Sequence, residues 1–457
     1  MDNPDIFALA KFGLNLVSNK NSDIKCAEIF FGQNKYINIE IEENSLKNSE
    51  IGVDDGVSIR TINNKGSLGF AYTNNLEKKS IEYIIDIAIK MMKVGTHNPD
   101  FKDLPSFYSK YPKIEDLFDK NLKNLQLEDS LQYAKDLIKI CDDDQMAISQ
   151  SANFISNYSR THIFNSNGLD ISGKETNFSL SSHVIVKDKF TEETSFGYDW
   201  QTERMLKNLK TERIVNNALD DAKRNLNRKK VKNMKVPLIL TPKGTISLIL
   251  SPIASAVNGE IFQYKRSFLV DKRGETIGSS YLNIEDNGLI AGAAGSSVFD
   301  GEGVPCRNKK IFEQGTFLKS GLLHNSFTAG KEGVESTGNA SRNSYSSIPS
   351  VGITNLIMKA GDIKIEEIIK DIKEGVVLDY TGDSPNISTG DFSGLIMHGN
   401  LIKNGEIKEA LNETMIGINL LDLFKKIDAV SEENKVYGVF QAPFVKLKSV
   451  NIIGGAN

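Results

Sequence analysis

The chain is poor in the residues from which most recognisable catalytic centres are built. Its 457 residues hold three cysteines, five histidines and one tryptophan. Cys26, Cys141 and Cys306 are odd in number and far apart. That spacing argues against a disulfide framework and points to a reducing compartment, with the cytoplasm as the expected location. The histidines are His97, His162, His183, His324 and His398, and even the nearest pair, His162 and His183, cannot share a helix face. A helical zinc site needs imidazoles one turn apart, so ordinary structural histidines are expected. No apolar run reaches the roughly 18 residues that a membrane helix requires. The opening, MDNPDIFALAKFGLNL, lacks a basic first region and is not expected to be a secretory signal.

Charge of one sign is also missing. A net charge of −4 and a pI near 5.9 give no general reason to bind nucleic acid or an anionic membrane. The one basic cluster, Arg228 to Lys235, has no interleaved aromatic residues and reads as a solvated linker. With 39% hydrophobic and 25% charged residues, the composition is that of a globular protein too long for one ordinary core. Two domains are expected, 1–228 and 229–457.

The expected fold class is α+β. An internally duplicated helix–antiparallel-strands–helix N-terminal domain precedes a mainly β, barrel-like C-terminal domain. In the first unit, Asn3 and Pro4 cap a helix with Ile6, Leu9, Ala10, Gly13 and Leu14 on one face. Period-2 patterns predict strands at Ala27–Phe31, Tyr36–Ile41, Gly56–Ile62 and Ser67–Tyr72. Ile81, Ile84, Ile85, Ala88, Met91 and Met92 then predict a helix ending at Gly95. After a proline-bearing connection the pattern repeats: a helix through Leu131, Ala134, Leu137, Ile138 and Cys141 comes first. Strands near Met146–Ser151, Asn157–Asn165, Asp170–Asn177 and Leu180–Lys187 follow. Gly69-Phe70-Ala71-Tyr72 and Gly197-Tyr198-Asp199-Trp200 each lead to a closing helix, which is the mark of duplication.

The stretch Pro237–Asp271 organises the second half. Pro237–Leu240 is an apolar strand, and Ile246, Ile249, Leu250, Ile253 and Val257 then have helical spacing. Thr241 and Thr245 are candidate caps, Asn258-Gly259 is a stop, and Pro252 should kink or break the helix. No histidine occurs on it, and no acidic residue before Glu260. Beyond it, Asp286-Asn287-Gly288 and Asp300-Gly301-Glu302-Gly303 read as turns, the latter lacking the carboxylates of a calcium loop. Gly292–Ser297 lacks the lysine of a phosphate loop, and Gly390–Gly394 is not a nucleophile elbow. Cys306 with His324 and Asn325 forms a nucleophile trio by composition alone. The polar segment 325–355 is either a peptide-pairing surface, through the backbone of Thr337–Arg342, or a plain surface loop.

Several of these stretches together resemble the TldD/PmbA family, the modulator-of-gyrase proteins also described as a peptidase family. They are Asp55–Arg60, Gly69–Thr73, Asp300–Pro305, Ser336–Arg342, Pro349–Asn355 and Thr389–Ser393, spread over nearly the whole chain. The family's TldD branch carries a His-Glu-x-x-x-His helix and a late cysteine that complete a zinc site. Laid over this chain through Asn258-Gly259-Glu260, the three motif positions fall on Leu250, Ser251 and Ser255, and no cysteine follows Cys306. Leucine cannot bind zinc, and neutral serines are poor replacements for imidazole and for a carboxylate base. The resemblance is therefore to the TldE (PmbA) branch. It implies a non-catalytic subunit of a metalloprotease acting on unfolded peptides, with no cofactor of its own and zinc in a TldD-like partner. It implies substrate-groove residues among Thr337, Gly338, Asn339, Ser341, Arg342 and Asn355, and no direct nucleic-acid or membrane partner. The alternatives are a homodimeric peptide-binding or gyrase-modulating protein, and a hydrolase with its own unrecognised site.

Overall fold

A computed structural model describes residues 5–20 and 23–456. The caps expected at Asn3 and Pro4 lie outside the described residues. Helix α1 (Ile6–Lys20) leads into strands β1 (Ile24–Glu42), β2 (Ser45–Asn63) and β3 (Leu68–Thr73), closed by helix α2 (Lys78–Val94). After the short turn of helix α3 (Lys120–Lys123), helix α4 (Leu127–Asp142) repeats the pattern. Strands β4 (Ala147–Asn165), β5 (Asp170–Lys187) and β6 (Thr194–Glu203) follow it, closed by helix α5 (Thr211–Arg224). The six strands form one antiparallel sheet in the order β3-β2-β1-β4-β5-β6, so the two units meet along β1 and β4. The duplication legible in the sequence is a near-mirror arrangement of two three-stranded meanders.

The strands are longer and fewer than the local patterns suggest. Ala27–Phe31 and Tyr36–Ile41 belong to one strand of 19 residues, and the four short strands expected between Met146 and Lys187 are two. The intervening polar residues look like turns but stay in register, with Gly32 opposite Gly56 and Asn34 opposite both Asp54 and Ser159. Ladder pairing on both sides overrides local preference.

The two glycines of the repeat have one physical role. A Cβ on Gly69 would stand 1.8 Å from the Ala88 carbonyl oxygen, and one on Gly197 would stand 2.1 Å from that of Ala218. Each glycine lets its closing helix lie against the backbone of the outermost strand. Under α2, Ile81, Ile84, Ile85, Ala88 and Met92 are buried as expected, while Met91 turns to solvent and Ile89 packs inside.

The remaining strands of the chain form a thirteen-stranded mixed sheet and a two-stranded ribbon, Ala340–Ser341 against Ser350–Val351. At the centre of the large sheet, Met234–Leu240 runs parallel to Glu374–Tyr380 and antiparallel to Phe440–Ile453. Asp286-Asn287 is not a turn. It ends the strand Ile284–Asn287, paired on both sides. The helix after Met234–Leu240 is capped by Thr241, whose side chain accepts from the Gly244 amide at 3.3 Å, with Pro242 in its first turn. Thr245 is inside the helix and caps nothing. The helix does not break at Pro252 either. Ile246–Leu250 form a π-turn, in which the Ser251 amide reaches back to the Ile246 carbonyl, and Ser251–Ala256 continue as α-helix. The wider turn accommodates a residue that has no amide proton and whose ring would crowd a regular α-turn. No helix among the described residues is long and apolar enough to cross a membrane.

Candidate functional site

The polar segments that stand out in the sequence converge where the face of β1 and β2 opposite α1 and α2 meets the loops of the C-terminal sheet. The convergence starts from two charges placed in apolar strands. Glu28 lies between Ala27 and Ile29 on β1, and Arg60 between Ile59 and Thr61 on β2. Each is 1% exposed. Glu28 and Arg60 are cross-strand partners. The Arg60 guanidinium bonds Glu28 at 2.7 Å and Glu302, from the Asp300–Gly303 turn, also at 2.7 Å. The second Glu28 oxygen takes Arg342, whose Nε donates to the Gly301 carbonyl at 2.7 Å. Four buried charges, two of each sign, thus join the N-terminal sheet to the turn at 300 and to the ribbon at 340.

Burial opposes ionisation of Glu302, but Arg60 and two hydrogen bonds from Ser326 hold its carboxyl below the usual range. Its neighbour Asp300 behaves oppositely. Burial, reinforced by the Glu302 charge, raises its carboxyl to about 7. Asp300 accepts from the amides of Glu302 and Val304 through one oxygen and from the Ala340 amide, at 2.9 Å, through the other. The turn that resembled part of a calcium loop is therefore a fastening for the ribbon. It was not legible as such, although the lone charges in Ala27–Phe31 and Val57–Ile62 were a signal that sequence reasoning missed.

The six groove candidates separate into two kinds. Gly338, Asn339, Ser341 and Arg342 line a cavity of about 410 Å³, together with Glu175 and Arg204. Asn339 is nevertheless buried, its amide nitrogen donating to Asp286 at 2.8 Å and to the Gly352 carbonyl at 2.9 Å. Asn355 is spent likewise, on Ser296, the Asn287 carbonyl and the Gly295 amide. Thr337 bonds the backbone of His324 and the side chain of Asn339. Asn339, Asn355 and Thr337 shape the wall, and Ser341 is half-buried beside the cavity, while the amide and carbonyl of Ala340 are already taken by Asp300 and Gly301. Gly338 has φ +74°, and a Cβ there would meet the Pro305 carbonyl oxygen at 2.6 Å, so only glycine is comfortable. The segment is a pinned ribbon rather than a plain loop.

The helix positions are also separated. Leu250 is fully buried in the core, Ser251 is exposed, and Ser255 is half-buried one turn on. The end of this helix adjoins the ribbon, because the Asn258 side chain donates to the Val351 carbonyl at 2.9 Å. It offers no imidazole and no carboxylate. The Cys306–His324 reading fails on geometry. The His324 ring nitrogens face Thr328 and Glu332, and Cys306 is buried with its thiol pushed up to about 12 by that burial.

Three family models of PmbA/TldA metallopeptidases match this chain: domain 1 over residues 27–92, the central domain over 120–226 and the C-terminal domain over 233–454. The chain belongs to the PmbA/TldD family. Its motif stretches Asp55–Arg60, Asp300–Pro305 and Ser336–Arg342 now have a shared structural meaning, since all three contribute to the buried ion cluster or its fastening. The chain is 30% identical to the uncharacterized protein MJ0231 of Methanocaldococcus jannaschii, over 87% of this chain and 90% of that one. It is 27% identical to the metalloprotease PmbA homolog of Buchnera aphidicola, over 96% and 95%. The crystal structure of TldE from Thermococcus kodakarensis superimposes with a TM-score of 0.85 at 25% identity, covering 98% of this chain and 99% of that one.

Proposed function

We propose that this family member is a subunit without the catalytic zinc, which acts with a TldD-like metalloprotease partner on unfolded peptides. The observation that carries the reading is the helix at 242–256. At the positions aligned with a His-Glu-x-x-x-His motif it holds Leu250, Ser251 and Ser255, and Leu250 is wholly inside the core. A buried leucine and two hydroxyls supply neither zinc ligands nor a general base. The partner then supplies the zinc, and this chain supplies a wall: the Ser251–Ser255 face, the adjoining ribbon and the backbone of 338–341. An extended peptide lies there against the cavity that Ser341 and Arg342 line, beside the exposed Ser251. The ion cluster under the ribbon fixes its position before substrate arrives, so less ordering accompanies binding.

The test is purification of the chain under native conditions from its own cells, with identification of what accompanies it. A stoichiometric companion carrying a His-Glu-x-x-x-His helix supports the reading. A chain that runs as a self-assembled dimer, with no such companion at any salt concentration, refutes it.

A further inference from the structure

Where Asp221 of α5 comes within ion-pair distance of His398 and Lys243 of the C-terminal half, three side chains converge whose facing atoms lack a hydrogen-bond partner among the described residues. Asp221 comes from α5, Asp379 from the strand Glu374–Tyr380, and His398 opens the strand His398–Lys403. One donor atom from each lies within 4.8 Å of the other two. His398 is 1% exposed and Asp221 3%. Asp221 Oδ2, Asp379 Oδ2 and both ring nitrogens of His398 are buried and lack any hydrogen-bond partner among the described residues. Buried polar atoms are rarely left unsatisfied, so four together call for an explanation.

The surroundings aim these atoms inward. Each carboxylate has its other oxygen held from outside: Thr241 Oγ1 donates to Asp379 Oδ1 at 2.6 Å, and Arg224 to Asp221 Oδ1 at 2.6 Å. Asp379 sits at a bulge, where the register with the neighbouring strand shifts between Leu378 and Tyr380, and a bulge re-aims the side chain of the extra residue. The pair between His398 Nδ1 and Asp221 Oδ2, 3.4 Å apart, accounts for only part of the arrangement, because His398 Nε2 and Asp379 Oδ2 remain without a partner among the described residues. The Phe196 ring, 4.2 Å from the imidazole, and the Tyr380 ring, at 5.7 Å, wall the site. Beyond them lies a cavity of about 520 Å³, lined by His183, Phe196, Tyr198 and Tyr380.

We propose that Asp221, Asp379 and His398 bind a divalent transition-metal ion of the zinc class, which staples α5 to the C-terminal sheet. One imidazole and two monodentate carboxylates are a donor set for such an ion, and carboxylates held by outer partners are what a metal site requires. Ligand atoms about 2 Å from a shared ion stand roughly 3–4 Å apart, so the side chains close by less than about 1 Å. Lys243 competes for Asp221. Its ammonium is 3.5 Å from Asp221 Oδ2 but also bonds the Tyr198 carbonyl and lies 4.2 Å over the Tyr198 ring, which holds its charge to one side. Asp199 adds a buried carboxylate on the Lys243 side, and Arg224 is half-exposed. The ion is structural and independent of peptide cleavage, so its absence would leave the proposed function standing.

The test uses the full chain, stripped by dialysis against chelator and titrated with Zn²⁺ or Co²⁺. Zn²⁺ should raise the melting temperature with one-to-one saturation. Co²⁺ should give the intense visible bands of a low-coordinate site rather than those of the aqueous ion. His398→Ala and Asp379→Asn should each weaken binding at least about 100-fold, and Thr241→Val about tenfold. Lys243→Met should tighten it. Should His398→Ala fail to fold, the Asp379→Asn variant carries the test alone. A wild-type melting temperature indifferent to Zn²⁺, or a shift that survives in whichever of these two ligand variants fold, overturns the proposal.

Discussion

Arg60→Met is the most informative single perturbation of the ribbon's foundation. The guanidinium is fully buried, and its pKa is held above the usual value because the attraction of Glu28 and Glu302 exceeds the cost of burial. Among the described residues, removing it leaves Glu302, 0% exposed, with only Ser326 as a partner, and leaves Glu28 with Arg342 alone. Breaking a buried pair from one side costs about 3–5 kcal/mol, because the remaining charge stays desolvated. Methionine fills much of the stem volume, so cavity formation adds little. The loss should be read as a lower urea midpoint at pH 7. The double variant Arg60→Met/Glu302→Gln should recover a large part of it, which a double-mutant cycle measures as coupling. The pH response gives a second check. Without Arg60, burial is no longer offset at Glu302 and pushes its folded-state carboxyl upward. The variant must then gain stability relative to wild type as pH falls toward the carboxylate range, and lose it as pH rises through the raised folded-state value. A cost below about 1 kcal/mol, the level of an exposed salt bridge, would refute the claim that the cluster holds the ribbon.

Asp300 gives the same logic in a wild-type residue. Its folded carboxyl stands near 7, above the unfolded value, so its contribution to stability is complete below the unfolded pKa and is lost as pH rises through about 7. Asp300→Asn should flatten that part of the stability profile while losing the bond to the Ala340 amide, at about 1–3 kcal/mol. Gly197→Val should destabilise by at least the 1–3 kcal/mol of an overpacked core, because its Cβ would lie 2.1 Å from the Ala218 carbonyl oxygen; a near-neutral melting temperature would contradict the close approach. All three cysteines are buried, and burial raises Cys26 to about 12 and Cys141 to about 11. Native protein at pH 8 should therefore leave a thiol reagent unreacted until denaturant is added.

The sequence made the duplicated α+β unit legible because Gly69 and Gly197 mark the same strand–helix contact in each half. Family motifs were legible for the same reason, being short runs whose residue types are fixed by close packing. What they do was harder to read. Arg60 and Glu302 stand far apart in the chain, and only the fold brings them to 2.7 Å. Asn339 and Asn355 look like ligands for a peptide because they are polar and lie among glycines and serines, yet both are buried fastenings. The strand lengths escaped local reading because the polar centres of β1, β4 and β5 take their conformation from neighbours on both sides. Asp221, Asp379 and His398 carry no spacing signal, since three separate elements present them.

On the proposed function, this chain shapes the site in which another subunit cuts peptides. The most direct measurement compares cleavage of one unstructured fluorogenic peptide by this chain, by its TldD-like companion and by an equimolar mixture, all with zinc present. No cleavage is expected by this chain alone, and faster cleavage by the mixture than by the companion. Cleavage by this chain alone, or equal rates with and without it, would contradict the proposed role.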